Sequence, residues 1–442
     1  MLEKFITVDF SRRMGRIKPL SGVVLGPLFD TERAIDLTEE YSAMHLPVVR
    51  TRGAEMPRGA LGFLDICRIF PDPMLDERLP ESYDFSYTDS YLSAIKASRA
   101  SILLSLGESI PEHPLRYPAP HVGAEKWARI AEKIILRYTK GWAGGPKLGV
   151  KMIEIWPGAD RFGFARAEDF YSFYRTVACH LRSVFPTLKI GGYSSGGFAS
   201  LNHYNATARE RGYLSFLEGF LRYITSPETA APLDLFTWEC HAESAEELAL
   251  HANYAKNYLM QHGLRRTQSV VSSFRFASSE GIKFSREYPA LLASVLISAE
   301  ESSIDMMLYD NLHPYSPHNA VFTVDDCTSL HRYAAWGVLE AFGRLLSMGT
   351  EVYTTDNYRR ELYTLGAISA SGEGALLLAT GGYSGRINLT VMGGFTSYSV
   401  KGMLGGGTRG RGYSTSEESI PLDGSLSVKV GKHEVYLFLF RQ

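Results

Sequence analysis

Val150-Lys-Met-Ile-Glu-Ile-Trp156 is a short run of alternating and apolar residues, followed by an amphipathic stretch over residues 166–185 and a second run, Leu188-Lys-Ile-Gly-Gly192. Ala167-Glu168-Asp169 places acid where the middle stretch begins, and the positive end of a helix dipole favours acid there. The unit reads strand, helix, strand. It recurs in both directions along the chain. Six further runs share its character: Gly22–Leu25, Leu46–Arg50, Ser101–Leu106, Leu233–Glu239, Ser269–Phe274 and Ser303–Tyr309. Helical patterns fall at about residues 32–44, 85–99, 124–140, 210–225, 244–262, 286–301 and 328–348, and Gly349 stops the last of them. Eight strand–helix alternations predict an α/β fold, a (β/α)8 TIM barrel over residues 21–349. An open doubly wound sheet gives the same alternation, but no GxGxxG follows a strand to support its dinucleotide-binding form.

Beyond residue 350 the helical period disappears. Ala375–Ala379, Arg386–Val391, Ser425–Val430 and Glu434–Phe440 are short strands between Gly- and Ser-rich turns, which predicts an appended antiparallel β-sandwich over residues 350–442. An N-terminal strand, Phe5–Phe10 within residues 1–20, is expected to join it. Met403–Ser416, with its run of glycines, reads as a loop.

Composition narrows the function. The chain has 442 residues, 45% hydrophobic and 21% charged, which excludes disordered and disulfide-scaffold classes. A net charge of −2 without a basic run argues against nucleic acid or an anionic membrane as partner. Cys67, Cys179, Cys240 and Cys327 lie far apart, which points to reduced, mostly buried thiols rather than a local zinc knuckle. The N-terminus shows neither a signal-like apolar region nor a run of about 20 apolar residues, so a cytoplasmic protein is expected.

A (β/α)8 barrel carries its chemistry at the C-terminal ends of its strands. Strand 2 ends in Arg50-Thr-Arg52-Gly-Ala-Glu55, strand 3 in Gly107-Glu108-Ser109, and strand 4 in Glu154-Ile-Trp156-Pro-Gly-Ala-Asp160. Strand 6 ends in Trp238-Glu239-Cys240-His241, strand 7 in Ser272-Ser273-Phe274-Arg275, and strand 8 in Tyr309-Asp310-Asn311-Leu312-His313. Aromatics, carboxylates and guanidinium groups of this kind hold polyhydroxylated ligands. Arg50, Arg52, Glu55, Trp156, Trp238, His241, Arg275, Tyr309 and Asp310 are the expected ligand-binding residues. Glu239 and Asp160 are the expected catalytic carboxylates, if catalysis occurs. His241 and His313 are weaker acid–base candidates. No HExxH or related spacing marks a metal site, so no metal and no cofactor are expected. Ser194-Ser-Gly-Gly197 is not a nucleophile elbow, and Ser273 has no evident His partner.

Several of these segments resemble family-39 glycoside hydrolases, the clan of β-xylosidases and α-L-iduronidases. The likeness lies in Val49-Arg50 through Glu55-Met-Pro, Asp65-Ile-Cys-Arg-Ile-Phe-Pro-Asp72 and Tyr83-Asp-Phe-Ser-Tyr-Thr-Asp89. It continues in Ser105-Leu-Gly-Glu-Ser109, Lys126-Trp-Ala, Gly141-Trp-Ala, Lys189-Ile-Gly-Gly192, Pro232-Leu-Asp-Leu-Phe-Thr-Trp238 and Asp305-Met-Met-Leu-Tyr309-Asp310. The resemblance implies a barrel with a β-sandwich and a retaining mechanism that uses two carboxyl groups roughly 5–5.5 Å apart. It places the acid/base in a Trp-Asn-Glu-Pro motif, and here Gly158 occupies the Glu position. It places the nucleophile on strand 7, and here Ser273 stands there, with no Asp or Glu anywhere in 269–279. Against the same pattern a His becomes Arg52, an Asn becomes Arg275, and strand 6 gains Glu239.

Three functions follow from this reading. One is a carbohydrate-active enzyme with altered catalytic groups, in which Glu239 works with Asp160, Glu55 or Asp310. Another is an inactive sugar-binding or subunit-forming pseudoglycosidase, in which Glu239 only neutralises Arg52 or Arg275. The third is a lyase or isomerase on the same scaffold. The arginines favour an acidic sugar, since a guanidinium fork reads a carboxylate bidentately. The expected partner is a small carbohydrate ligand, and a homo-oligomer is left open.

Overall fold

The computed structural model describes residues 3–30, 35–51, 65–108, 120–161, 163–202, 204–276, 285–310, 312, 321–325, 329–355, 361–404 and 413–442. Eight parallel strands close into a barrel: β1 (Gly22–Val24), β2 (Val48–Arg50), β3 (Ser101–Leu106), β4 (Met152–Ile155), β5 (Lys189–Ser195), β6 (Leu235–Ala242), β7 (Gln268–Phe276) and β8 (Met306–Tyr309). Each pairs with its neighbours in sequence, and β8 returns to β1. The helices that alternate with these strands among the described residues are α1 (Thr38–Ala43), α2 (Ser86–Ala97), α3 (Ala124–Lys140), α4 (Ala167–Val184), α5 (Ala208–Thr225), α6 (Ala245–Gln261), α7 (Tyr288–Glu301) and α8 (Ala334–Met348), with a one-turn helix at Ile66–Ile69 after β2. Local chemistry sets their ends. Thr207 and Glu210 form a reciprocal capping box at the start of α5, and Ser244 caps α6. Gly141 and Gly349 end α3 and α8 with φ of 83° and 86°, a conformation that glycine adopts without Cβ strain.

The alternation predicted from sequence is the observed one, with differences at the edges. A hairpin of Leu28–Asp30 and Ile35–Asp36 precedes α1, so that helix is shorter than its pattern. A second hairpin, Phe322–Val324 with Leu330–Arg332, delays α8 to residue 334. Of the described cysteines only Cys240 is buried, while Cys179 is exposed on α4, which corrects the expectation of mostly buried thiols. Among the described residues no helix is long and apolar enough to cross a membrane.

Eight C-terminal strands and the N-terminal strand Glu3–Arg16 form one hydrogen-bonded sheet of nine. All its pairings are antiparallel except that of Glu3–Arg16 with Gly385–Met392. Ser397–Leu404 and Tyr413–Pro421 are strands, which corrects both ends of the loop expected at 403–416, and residues 405–412 lie outside the described residues. The strand Gly374–Thr380 is buried at every position, and its alternation explains why. Leu376 and Leu378 face the sheet's own core with Ile6, Val8, Ile387, Leu389 and Phe438. Ala375, Leu377 and Ala379 face the other way and join the barrel's core, to which α7 and α8 belong. A strand apolar on both faces is what a sheet clamped between two cores requires. Leu377→Ala should therefore cost roughly 2–5 kcal/mol, the range for a buried leucine that leaves a cavity. Urea denaturation checks this, and a loss below about 1 kcal/mol would place Leu377 outside the shared core.

Candidate functional site

The mouth is built by period-two alternation on the long strands and by the turn after β4. On β6, Thr237 and Glu239 point inward. The Thr237 hydroxyl accepts from the Ser194 N–H (2.8 Å), and Glu239 accepts from the Ser194 hydroxyl (3.3 Å). Ser194 also shares a 2.9 Å hydrogen bond with Ser272 of β7. The pairing of β6 with β7 slips between Val271 and Ser273, and this irregularity sets Ser273 opposite Glu239 and Arg275 opposite His241.

Trp156 and Gly158 have φ of 51° and 80°, so the chain turns sharply after β4 and brings Asp160 and Arg161 over the barrel. Arg161 grips Glu239 with both terminal nitrogens, each donating at 2.6 Å to a different carboxylate oxygen. This fork geometry is the strongest form of the pair. Asp160 accepts from the Gly196 N–H (2.7 Å) and the Ser195 hydroxyl (3.3 Å) and lies 3.7 Å from Arg161 Nε. Burial pushes its carboxyl up to about 6, against the pull of Arg161 and the Gly196 N–H. Gly197 passes so close to Glu239 that a Cβ would stand 2.3 Å from its carbonyl oxygen, and its φ is 96°. Gly197 therefore serves a close backbone approach, while Gly196 makes room for the Tyr213 ring.

Arg50 is not open to a ligand. Its Nε and a terminal nitrogen both donate to Glu154 of β4 at 2.8 Å, and the Ser105 hydroxyl of β3 donates to the same oxygen at 2.6 Å. The pair is buried inside the barrel. Arg275 is different. Its contact among the described residues is His241 Nδ1 at 3.5 Å, and no described carboxylate lies within ion-pair distance. Burial, and then Arg275, lower the His241 pKa to about 4, so the imidazole is neutral at pH 7 and accepts from the guanidinium. Asp310 and Glu239 lie within electrostatic reach of the same ring.

Three expected binding residues turn away from the mouth. Trp238 donates to the Ser269 hydroxyl (3.0 Å) and packs on Phe198, while Glu239 beside it points inward. Tyr309 shares a 2.5 Å hydrogen bond with Tyr288 of α7. Trp156 packs on Trp127 of α3 and Phe173 of α4. All three are core aromatics of the helix layer, which corrects their assignment to the ligand. Neighbouring strand residues face opposite sides, so Trp238 and Glu239 cannot both line the mouth. Among the described residues Glu239 pairs with Arg161 rather than with the expected Arg275. Arg52, Glu55 and His313 lie outside the described residues. Sequence reasoning missed Arg161, although it directly follows Asp160, and missed Glu154 as the counter-ion of Arg50.

No family model and no curated protein matches the chain. Solved structures do match its fold over nearly the full length. A glucosidase from Croceicoccus marinus superposes with a TM-score of 0.81 at 19% identity, covering 100% of this chain and 99% of the other. A monomeric beta-xylosidase from Caulobacter crescentus CB15 gives 0.69 at 11% identity, covering 99% of each chain. The GH51 alpha-L-arabinofuranosidase of Thermotoga petrophila RKU-1 gives 0.66 at 12% identity, over 98% of this chain and 99% of that one.

The Asp160 carboxyl has a testable sign. Its folded pKa lies above the ordinary 3.8, so the folded chain holds its proton more tightly than the unfolded chain does. The stability it contributes is present below about pH 4 and lost as pH rises through about 6. Asp160→Asn, which keeps an oxygen for the Gly196 N–H, should gain on the wild type between pH 4 and 7, by at most about 3 kcal/mol. Urea midpoints at the two pH values measure it, and a gap that moves towards the wild type would reverse the sign.

Proposed function

We propose that the chain is a carbohydrate-binding protein of the glycosidase-type barrel that holds a sugar at the barrel mouth without the retaining two-carboxylate mechanism. The fold likeness to a glucosidase, a beta-xylosidase and an arabinofuranosidase supports the carbohydrate part of the reading. The observation that carries the rest is the fate of the carboxylates. Ser273 stands at the strand-7 position, Gly158 at the strand-4 position adopts a left-handed conformation that disfavours Glu, and Glu239 is clamped by Arg161. A carboxylate held bidentately by a guanidinium is a poor nucleophile and serves to neutralise the charge beside it.

Arg275 is the described guanidinium left for an anionic group, and a neutral His241 behind it keeps its charge directed at the ligand. The reading therefore extends to an acidic sugar, such as a uronic acid. One observation favours the altered-enzyme reading instead. Asp160 is pushed up towards neutrality while Glu239 faces Arg161, and two carboxyl groups in such contrasting environments suit an acid and its partner.

A panel of aryl glycosides and calorimetric titrations of xylose and glucuronate at two salt concentrations separate these readings. Binding without turnover is expected, with glucuronate favoured and salt-sensitive. Arg275→Met should weaken glucuronate by about 10-fold or more and leave xylose unchanged, as loss of a charged hydrogen bond implies. Turnover that falls about 10²-fold in Glu239→Gln would establish the enzyme reading. Equal affinity for the two sugars would remove the acidic ligand.

A further inference from the structure

A second group of chemistry-bearing side chains lies at the C-terminal end of β3, away from the Arg161–Glu239 pair. Glu108 follows the strand by two residues and is buried. Its Oε1 lies 2.7 Å from His121 Nδ1 and accepts from the Trp127 indole N–H (3.0 Å), and its Oε2 accepts from the His121 backbone N–H (2.9 Å). Cys67 reaches the same place from the short helix Ile66–Ile69. That segment is tied to β3, because Asp65 forms a β-bridge with Gly107 and the Ile66 N–H donates to the Gly107 carbonyl at 2.9 Å. The Asp65 carboxylate accepts from the Cys67 N–H at 3.0 Å and is itself buried.

The ligand atoms of Cys67, Glu108 and His121 all lie within 4.8 Å of one another. The cluster is shielded, with the side chains of His121 and Glu108 only 8% and 2% exposed. His121 Nε2 is buried and has no hydrogen-bond partner among the described residues, a cost that a folded protein normally avoids. A nucleophilic Cys–His pair does not account for the group. Burial, and then the carboxylates of Glu108 and Asp65 beside it, push the thiol's pKa up, whereas a nucleophile needs it lowered.

We propose that Cys67, Glu108 and His121 form a binding site for a borderline-soft divalent cation of the zinc type. One sulfur, one imidazole nitrogen and one carboxylate oxygen make a donor set suited to Zn²⁺ or Co²⁺, whereas Mg²⁺ and Ca²⁺ take oxygen ligands throughout. Three protein ligands leave a fourth position for water or Asp65. The cation displaces the thiol proton to solvent and bonds the thiolate. The elements that carry the three ligands are fixed by the bridge to Gly107 and by the Trp127 hydrogen bond, so the site is supported by more than its own ligands.

The test uses the full chain, stripped with a chelator and titrated with Zn²⁺ against a chromophoric competitor, then with Co²⁺ for its spectrum. One equivalent per chain is expected, with a thiolate-to-Co²⁺ charge-transfer band. Cys67→Ser should abolish the band, and His121→Gln should weaken Zn²⁺ by 10²-fold or more, while Cys179→Ser on exposed α4 should change neither. Peptide-mapped alkylation provides a readout independent of variant folding, because Zn²⁺ should protect Cys67 and leave Cys179 reactive in the wild type. No stoichiometric binding, a band that survives Cys67→Ser, or Cys67 alkylated equally with and without Zn²⁺ would each overturn the proposal.

Discussion

Closure of an eight-stranded barrel excludes water from its axis, so every charge that enters must be neutralised by another charge within the same few ångströms. Two pairs meet that demand here. Arg50 of β2 is neutralised by Glu154 of β4, with Ser105 of the intervening β3 donating to the same oxygen. Arg161 after β4 is neutralised by Glu239 of β6, with Ser194 of the intervening β5 donating to Glu239. Each pair spans alternate strands, as side chains of one barrel layer do. Loss of one partner would leave the other buried and unpaired, a penalty of roughly 3–5 kcal/mol.

This neutrality also shapes what the mouth offers a ligand. A site with two unpaired carboxylates repels anions and suits double displacement. Here Glu154 and Glu239 are held by arginines, whereas Arg275 has no described carboxylate within ion-pair distance and contacts a neutral imidazole. The turn that delivers Arg161 needs left-handed backbone at Gly158, so the same local geometry that builds the ion pair disfavours a glutamate at that position.

The nine-stranded sheet is held by the same economy of faces. Gly374–Thr380 buries one row of side chains in the sheet's own core and the other against the barrel, so α7 and α8 are covered on both sides. The N-terminal strand, far away in sequence, lies between Thr350–Thr354 and Gly385–Met392 and ties the chain's beginning to its end.

Alternation of apolar runs and amphipathic stretches was enough to predict the succession of eight strands and helices and the strand-rich character of the C-terminal region, while closure into a barrel rather than an open sheet was settled by the tertiary structure. These properties are local, since each follows from side-chain periodicity within about a dozen residues. The shortlist of residues at strand ends was likewise legible, and Glu239, Asp160, His241 and Arg275 do gather there. Which of those residues face one another was decided only by tertiary structure. Strand phase turned Trp238 and Tyr309 into the helix layer, the slip between β6 and β7 set Arg275 beside His241, and a left-handed turn carried Arg161 onto Glu239. Cys67, Glu108 and His121 span more than fifty residues of sequence with no motif spacing, and only the docking of Asp65 on Gly107 brings their ligand atoms together. Charge pairing and ligand clusters depend on distances between segments remote in the chain, and periodicity within a segment carries no record of those distances.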